Sequence, residues 1–277
     1  MPSKKLTITL KLNMTKSIDL NKVTEAYYRS RARLILLDHD GTLVPFEIHH
    51  DLTMPDSKVK SLLHLLASDP KNSVVLISGR DRVYLDTQWS NFPITLVAEH
   101  GGFYKTQNES WKAMFSYSVD WIPKTLAALN ALTVQYKGSY IEEKVYSIAW
   151  HYRAIKESIT ESSKRQILAA IRSLPERDRF QIYDCEFTIE LRTIGIDKGS
   201  FTSHWASNKY HDFVMAIGDG QTDEDLFRIL GKKAYSIKVG KSNTSEAVYH
   251  VNNQTEVLPF LQSILDFESV VKISRVD

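Results

Sequence analysis

The chain has a single cysteine, Cys185, among its 277 residues. That excludes an internal disulfide framework and points to a reducing compartment, with Cys185 itself read as a packing residue. Long hydrophobic runs are also missing: none approaches the ~18 residues of a bilayer-crossing helix, so no membrane role is expected. Neither sign of charge is in excess. Lys and Arg total 35 against 33 for Asp and Glu, a net charge of +2, which gives no basis for a nucleic-acid partner. The 9 histidines lack zinc-site spacing, and His49-His50 reads as exposed loop. The N-terminal stretch has no arginine before Arg29 and no acid before Asp19, although Lys4, Lys5, Lys11 and Lys16 fall there. Transit peptides favour arginine and serine, so residues 1–28 are read as a leader or linker, with a short helix over 18–28. A cytoplasmic monomer is expected.

What is present is the composition of an ordinary folded protein, 43% hydrophobic and 25% charged, long enough for one large domain or two moderate ones. Apolar runs at 34–37, 74–77, 94–97 and 214–217 have the length of strands buried on both faces of a parallel sheet. Helical spacing follows at 57–67, 81–88, 222–230 and 256–265. This βαβ alternation predicts an α/β doubly wound parallel sheet with helices on both sides. The middle third breaks the pattern. Helices are expected over 119–132 and 159–174, with strand-like stretches at 140–150, 180–183 and 187–192. The chain is therefore divided into a core of residues 29–104 and 195–277 and an inserted α+β cap of residues 105–194 that closes over a cleft.

The most informative stretch is Leu36-Leu37-Asp38-His39-Asp40-Gly41-Thr42-Leu43. Two carboxylates two residues apart stand where an apolar run ends, and open α/β sheets carry their chemistry past the carboxyl ends of such strands. Gly41 permits the turn that follows. Paired carboxylates are costly without a cation, and a hard, oxygen-liganded ion such as Mg²⁺ suits them. Asp38 is the candidate nucleophile, whose attack on phosphorus would form an aspartyl-phosphate. Asp40 is the candidate general acid–base.

Three further stretches share that setting. Ser78-Gly79-Arg80 follows the second apolar run, where a hydroxyl and backbone N–H groups at a helix start suit a phosphate oxygen. Lys198-Gly199 offers a point charge for a transferring phosphoryl group. Gly218-Asp219-Gly220 follows the run at 214–217, so that Asp219 completes an Mg²⁺ site with Asp38 and the backbone carbonyl of Asp40. Asp223 is a further ligand or a group behind the ligands. Read singly, Ser78 caps a helix, Lys198 is solvated and residues 223–225 are an acidic first turn.

Taken together, the order DxDGT, SGR, KG and GDxxxD resembles the haloacid dehalogenase superfamily of Mg²⁺-dependent phosphatases. More narrowly, residues 25–265 resemble the trehalose-6-phosphate phosphatases. The narrower markers are Ala98-Glu99-His100-Gly101, Gly138-Ser139-Tyr140-Ile141-Glu142-Glu143-Lys144, Ser147-Ile148-Ala149-Trp150-His151-Tyr152-Arg153 and Phe187-Thr188-Ile189-Glu190-Leu191-Arg192. The resemblance implies a phosphate site of Thr42, Ser78, Gly79, Arg80 and Lys198. It also implies that Glu142, Lys144 and Glu190 read the distal glucose hydroxyls of trehalose, with Glu99, His100 and Arg153 as further substrate contacts. On periodicity alone, Glu142 and Lys144 are a surface charge pair on one strand face, about 7 Å apart, with Tyr146 and Trp150 along it. His100, His151 and Arg153 are equally readable as structural residues.

Two positions depart from the family pattern: His39 replaces a common tyrosine, and Gly220 replaces a carboxylate near the metal. The rival readings are a phosphatase for another glycosyl phosphate, such as sucrose 6-phosphate or mannosyl-phosphoglycerate, and a non-catalytic sugar-phosphate sensor. The segment before Tyr27-Tyr28 resembles the junction after the synthase part of two-domain relatives, which makes a trehalose-phosphate synthase the expected functional associate.

Overall fold

The computed structural model describes residues 15–45, 54–207 and 209–273. Lys4, Lys5, Lys11 and the His49-His50 pair lie outside the described residues. In chain order the first half of the core runs β1 (Lys16–Ser17), α1 (Leu20–Arg29), β2 (Arg33–Asp38), α2 (Ser57–Ser68), β3 (Asn72–Ile77), α3 (Arg82–Trp89), β4 (Thr95–Ala98), β5 (Phe103–Lys105) and β6 (Lys112–Ala113). The insertion holds α4 (Trp121–Gln135), β7 (Tyr140–Glu143), β8 (Ser147–His151), α5 (Glu161–Arg172), β9 (Phe180–Cys185) and β10 (Thr188–Thr193). The chain then returns through α6 (Lys198–Ser207), β11 (Phe213–Gly218), α7 (Gln221–Leu230), β12 (Tyr235–Val239), β13 (Tyr249–Val251) and α8 (Val257–Ile273).

The large sheet has the order β1-β13-β12-β11-β2-β3-β4-β5-β6. It is parallel from β1 through β4, and β5 and β6 continue it antiparallel. β2 is paired on both edges and every residue in it is buried, as the apolar run at 34–37 between Arg33 and Asp38 requires. Its side chains alternate: Ile35 and Leu37 join the cluster with Tyr27, Leu63, Trp89 and Leu261, while Leu34 and Leu36 join Phe201 and Phe227 on the opposite face. The sheet is thus covered on both sides, and each of these leucines and isoleucines contributes about 1.5–3 kcal/mol by burial. Helix starts are set by local acids: Asp19, Asp56 and Asp81 each accept backbone N–H bonds from the first turn of α1, α2 and α3.

The expected α/β core with an α+β insertion is therefore what the chain forms. The change of sheet comes after Ala113, because β5 and β6 still belong to the large sheet. The insertion's own sheet has the order β7-β8-β10-β9, antiparallel throughout. Its helices cover one face, Trp121, Leu129, Ile167 and Ile171 clustering with Trp150 of β8 and Ile189 of β10, leaving the other face to look toward the core. The stretch 140–150 is two strands, not one. The chain turns between β7 and β8, where the Lys144 N–H donates to the Ser147 carbonyl at 2.9 Å. In consequence Trp150 sits with the helices in the insertion's core, and Tyr146 leaves the strand face altogether. Tyr146 packs on Phe103 at 5.2 Å between ring centroids, and its hydroxyl donates to the Phe115 carbonyl at 3.2 Å. It belongs to the junction between the two sheets.

Candidate active site

A cavity of about 490 Å³ opens between the carboxyl ends of the core strands and the uncovered face of the inserted sheet. At its inner end β2 delivers Asp38 and Asp40 around a turn in which Gly41 has φ +80°, a conformation that favours glycine. Lys198, the first residue of α6, is fully buried and bridges two carboxylates. Its Nζ donates to Asp38 Oδ1 and, at 2.8 Å, to Asp223 Oδ1. Asp219 follows β11, and Asp223 reaches back from α7 so that its Oδ2 accepts the Asp219 and Gly220 N–H groups at 3.1 and 2.9 Å. Lys238, at the end of the neighbouring β12, donates to the Asp219 carbonyl and pins the same loop from outside.

The charges here are out of balance. Asp38, Asp219 and Asp223 each offer an oxygen, and these atoms all lie within 4.8 Å of one another. Burial pushes the Asp38 carboxyl up to about 6 and raises Asp219 well above the usual carboxylate range, with neighbouring carboxylates adding to both shifts. Burial works against the charge on Lys198, yet the Asp223 and Asp38 carboxylates hold it above its usual value. A cluster of hard oxygen donors with that excess of negative charge fits a divalent cation of the Mg²⁺ class. Of these three carboxylates, Asp38 and Asp219 line the cavity. Both oxygens of Asp223 are already taken, by Lys198 and by backbone N–H groups, so it holds the ligand loop in shape.

Ser78-Gly79-Arg80 forms a loop, not a helix start, because Asp81 is the residue that caps α3. Ser78 Oγ accepts the Arg80 N–H at 3.1 Å. The Arg80 guanidinium lines the cavity and is engaged with Asp40, Nε to Oδ2 at 2.9 Å and Nη2 to Oδ1 at 2.6 Å. Burial alone would raise Asp40, but Arg80 and His39 bring it well below the carboxylate range. His39 is fully buried, edge-on to Tyr84 and Trp89.

The outer wall comes from the inserted sheet. Glu142, Lys144 and Glu190 all line the cavity. Lys144 Nζ lies 3.1 Å from Glu142 Oε2, and His151 Nε2 lies 3.0 Å from the same oxygen. Burial would raise Glu142, yet His151 and Lys144 pull it down to about 2. Arg153 also faces the cavity, with its guanidinium 4.8 Å over the Phe187 ring and 3.6 Å from Glu186.

His100 stands where the two ends meet. It has φ +58°, next to Glu99 at φ +49°, a left-handed pair that β-carbon-bearing residues adopt at a cost. The pair is held by Glu99 N–H to the Arg80 carbonyl at 2.9 Å and His100 N–H to the Ser78 carbonyl at 2.8 Å. His100 Nε2 is 3.4 Å from Glu190 Oε2. Burial and the Arg192 charge lower its ring to about 4, so it is neutral at pH 7. Glu99, by contrast, does not reach the cavity. Its Oε2 accepts the Tyr146 N–H at 3.2 Å, which ties the core to the insertion.

Asp38, Asp40, Gly79, Arg80, His100, Glu142, Lys144, Arg153, Glu190, Lys198 and Asp219 are thus brought to one cavity. Thr42, Ser78, Glu99 and Asp223 stand behind it. The Thr42 hydroxyl is buried without a hydrogen-bond partner among the described residues. Reading the sequence missed Tyr140, which stacks on His151 at 4.7 Å, and Arg192, which pairs with Glu190 at 2.5 Å. Arg192 carried a signal, since it shares a strand face with Glu190.

Comparison with known proteins follows the same lines. The family model described as trehalose-phosphatase matches residues 36–258. A bifunctional trehalose-6-phosphate synthase/phosphatase of Thermoproteus tenax is 32% identical over 233 residues, covering 84% of this chain and 32% of the relative. The chain spans about a third of the length of the curated relatives it matches. Among solved structures, the C-terminal domain of Candida albicans trehalose-6-phosphate phosphatase superposes with a TM-score of 0.83 at 26% identity, covering 90% of this chain and 97% of that one. The C-terminal domain of the Candida albicans trehalose synthase regulatory protein has the same fold, with a TM-score of 0.72 at 18% identity over 89% of this chain and 99% of that one.

Proposed function

This chain belongs to the trehalose-phosphatase family, and from that premise we propose that it hydrolyses trehalose 6-phosphate to trehalose and inorganic phosphate. The observation that carries this reading is a single cavity with two chemically distinct ends. One holds Asp38, Asp40 and Lys198; the other holds Glu142, Lys144 and Glu190. The first suits a phosphoryl group and the second a polyhydroxylated ring, joined in one molecule.

In the first step an Asp38 oxygen attacks phosphorus, forming the Asp38–phosphorus bond as the bond to the sugar oxygen breaks. Asp40 supplies the proton that the departing sugar oxygen takes up. Arg80 keeps Asp40 ionised, so Asp40 must first be freed from that guanidinium, as the charge of a bound phosphate would draw it away, and take up a proton from solvent. In the second step Asp40 takes a proton from water, the water oxygen bonds to phosphorus, and the Asp38 oxygen–phosphorus bond breaks, freeing the Asp38 carboxylate and inorganic phosphate. Lys198 stays beside Asp38 throughout, stabilising charge on the transferring group. A Mg²⁺ ion held by Asp38, Asp219 and the Asp40 carbonyl would neutralise charge on the phosphoryl oxygens. Sugar contacts on the insertion hold the ester in line and favour closure over the site.

A trehalose-phosphate synthase is the source of substrate that this reading calls for. The competing reading, a sensor that binds without turnover, finds support in the shared fold of the regulatory-protein domain. A sensor has no need of Asp38, Asp40 and Lys198 together. The test is phosphate release from trehalose 6-phosphate, with Mg²⁺ and with chelator, beside sucrose 6-phosphate and glucose 6-phosphate. A metal-dependent preference for the trehalose ester is the expected result, and replacing Glu142, Lys144 and Glu190 together should erase it. Preference for another ester would overturn the substrate, and tight binding without turnover would overturn the enzyme.

A further inference from the structure

Of the two glutamates on the cavity face of the insertion, the Glu142 side chain is 36% exposed and the Glu190 side chain only 7%. A carboxylate withdrawn that far from water needs a paired cation and filled hydrogen bonds. Arg192 supplies both. Its Nη2 donates to Glu190 Oε2 at 2.5 Å, and its Nε lies 3.4 Å from Oε1. The two residues are separated by one position on β10, so they share a face. Arg192 is itself fixed, with its guanidinium 4.0 Å above the Tyr183 ring. Tyr183 stands directly opposite Glu190 in the β9–β10 register.

Arg192 does not line the cavity, whereas Glu190 does. Its side chain is 1% exposed, and its Nη1 has no hydrogen-bond partner among the described residues. The guanidinium is therefore oriented for the Glu190 carboxylate at the expense of its own full satisfaction. A planar fork sets the plane of a carboxylate, which a point charge such as lysine does not. A buried ion pair adds little net stability over apolar residues of similar volume, so stability alone gives no reason for this geometry.

We propose that Arg192 is the positioning residue for sugar recognition: it touches no substrate atom, and it holds Glu190 in the plane from which that carboxylate accepts sugar hydroxyls. The assignment rests on the reading of the cavity as a trehalose 6-phosphate site. It is tested with the full chain by comparing kcat/KM for trehalose 6-phosphate with kcat/KM for p-nitrophenyl phosphate, an ester without a sugar. Arg192→Lys and Arg192→Met lower that ratio at least about tenfold, chiefly through KM for the trehalose ester. Added to Glu190→Gln, Arg192→Met lowers the ratio by no more than about twofold further, because the two act as one unit. Should Arg192→Met alone fail to fold, the charge-neutral double variant carries the comparison. An unchanged ratio in the single variants, or a full additional loss in the double variant, overturns the assignment. A wild-type chain with no preference for the trehalose ester overturns the substrate reading, and the Arg192 assignment with it.

Discussion

Arg80 holds both oxygens of Asp40, Nε to Oδ2 at 2.9 Å and Nη2 to Oδ1 at 2.6 Å, with its guanidinium 4.5 Å over the Tyr84 ring. The loop that follows β3 thus aims the Asp40 carboxylate that follows β2, the proposed general acid–base. Asp40→Asn keeps the size of the side chain and removes its proton transfer, so kcat should fall about 10²–10⁴-fold with little change in KM. Arg80→Lys keeps a cation and loses the fork, and should fall less far. Steady-state phosphate release on both variants checks this. An Asp40→Asn enzyme with wild-type kcat would remove Asp40 from the chemistry.

That pairing also marks the boundary of what the sequence made legible. The end of β2 was readable because no polar residue interrupts Leu34-Ile35-Leu36-Leu37 before Asp38. Arg80 was read as a phosphate ligand, and its hold on Asp40 depends on the β2–β3 register, which sets Asp38 opposite Ile77. Nothing local encodes that register. The turn between β7 and β8 was missed for a different reason: Glu143-Lys144-Val145-Tyr146 contains no Gly, Pro, Asn or Asp, the residues that usually announce a turn. Helix α3 begins where the spacing over 81–88 puts it, but its cap is Asp81 and not Ser78, since a carboxylate accepts first-turn N–H groups as well as a serine does.

Gly79 leaves room for one thing, the His100 ring. A β-carbon there would stand 2.4 Å from His100 Nε2 and 2.5 Å from Cε1. Gly79→Ala should therefore destabilise the fold by about 1–3 kcal/mol, as overpacking does, and should displace the ring from Glu190. The same substitution in a His100→Ala background should cost far less. Thermal melts of the four chains in this cycle measure the coupling. Equal costs in both backgrounds would show that the ring yields freely.

His100 should also make the fold acid-sensitive. Its ring is lowered from 6.5 to about 4 by burial and the Arg192 charge. The unfolded chain therefore takes up a proton near pH 6.5, while the folded one resists until about pH 4. Stability is complete above that upper value and drains away as pH falls through the window, by up to about 3 kcal/mol. Asp40 and Glu190, both held below the carboxylate range, add their losses lower still, as pH falls from about 4. Asn tolerates the left-handed backbone of this position, so His100→Asn should flatten the dependence between pH 5 and 7. Melting temperatures across that range decide it, and an equally steep variant would assign the effect elsewhere.

Removing one carboxylate from the Asp38, Asp219 and Asp223 cluster should have opposite effects with and without cation. Asp38, Asp219 and Asp223 share a space within 4.8 Å, where Lys198 is the cation that touches both Asp38 and Asp223. Without a divalent ion, this repulsion works against the fold. Asp219→Asn relieves it while leaving the loop's backbone bonds to Asp223 and Lys238 in place. In chelator the variant should therefore melt at or above the parent. Added Mg²⁺ should stabilise the parent in proportion to the logarithm of its concentration, by about 2.7 kcal/mol at one hundred times the dissociation constant. The variant should gain much less, and its phosphate release should fall with its cation affinity. Melting with titrated Mg²⁺ separates this from a simple loss of structure, because a misfolded variant melts low under both conditions. An Asp219→Asn chain that still gains as much from Mg²⁺ as its parent would place the cation away from this cluster.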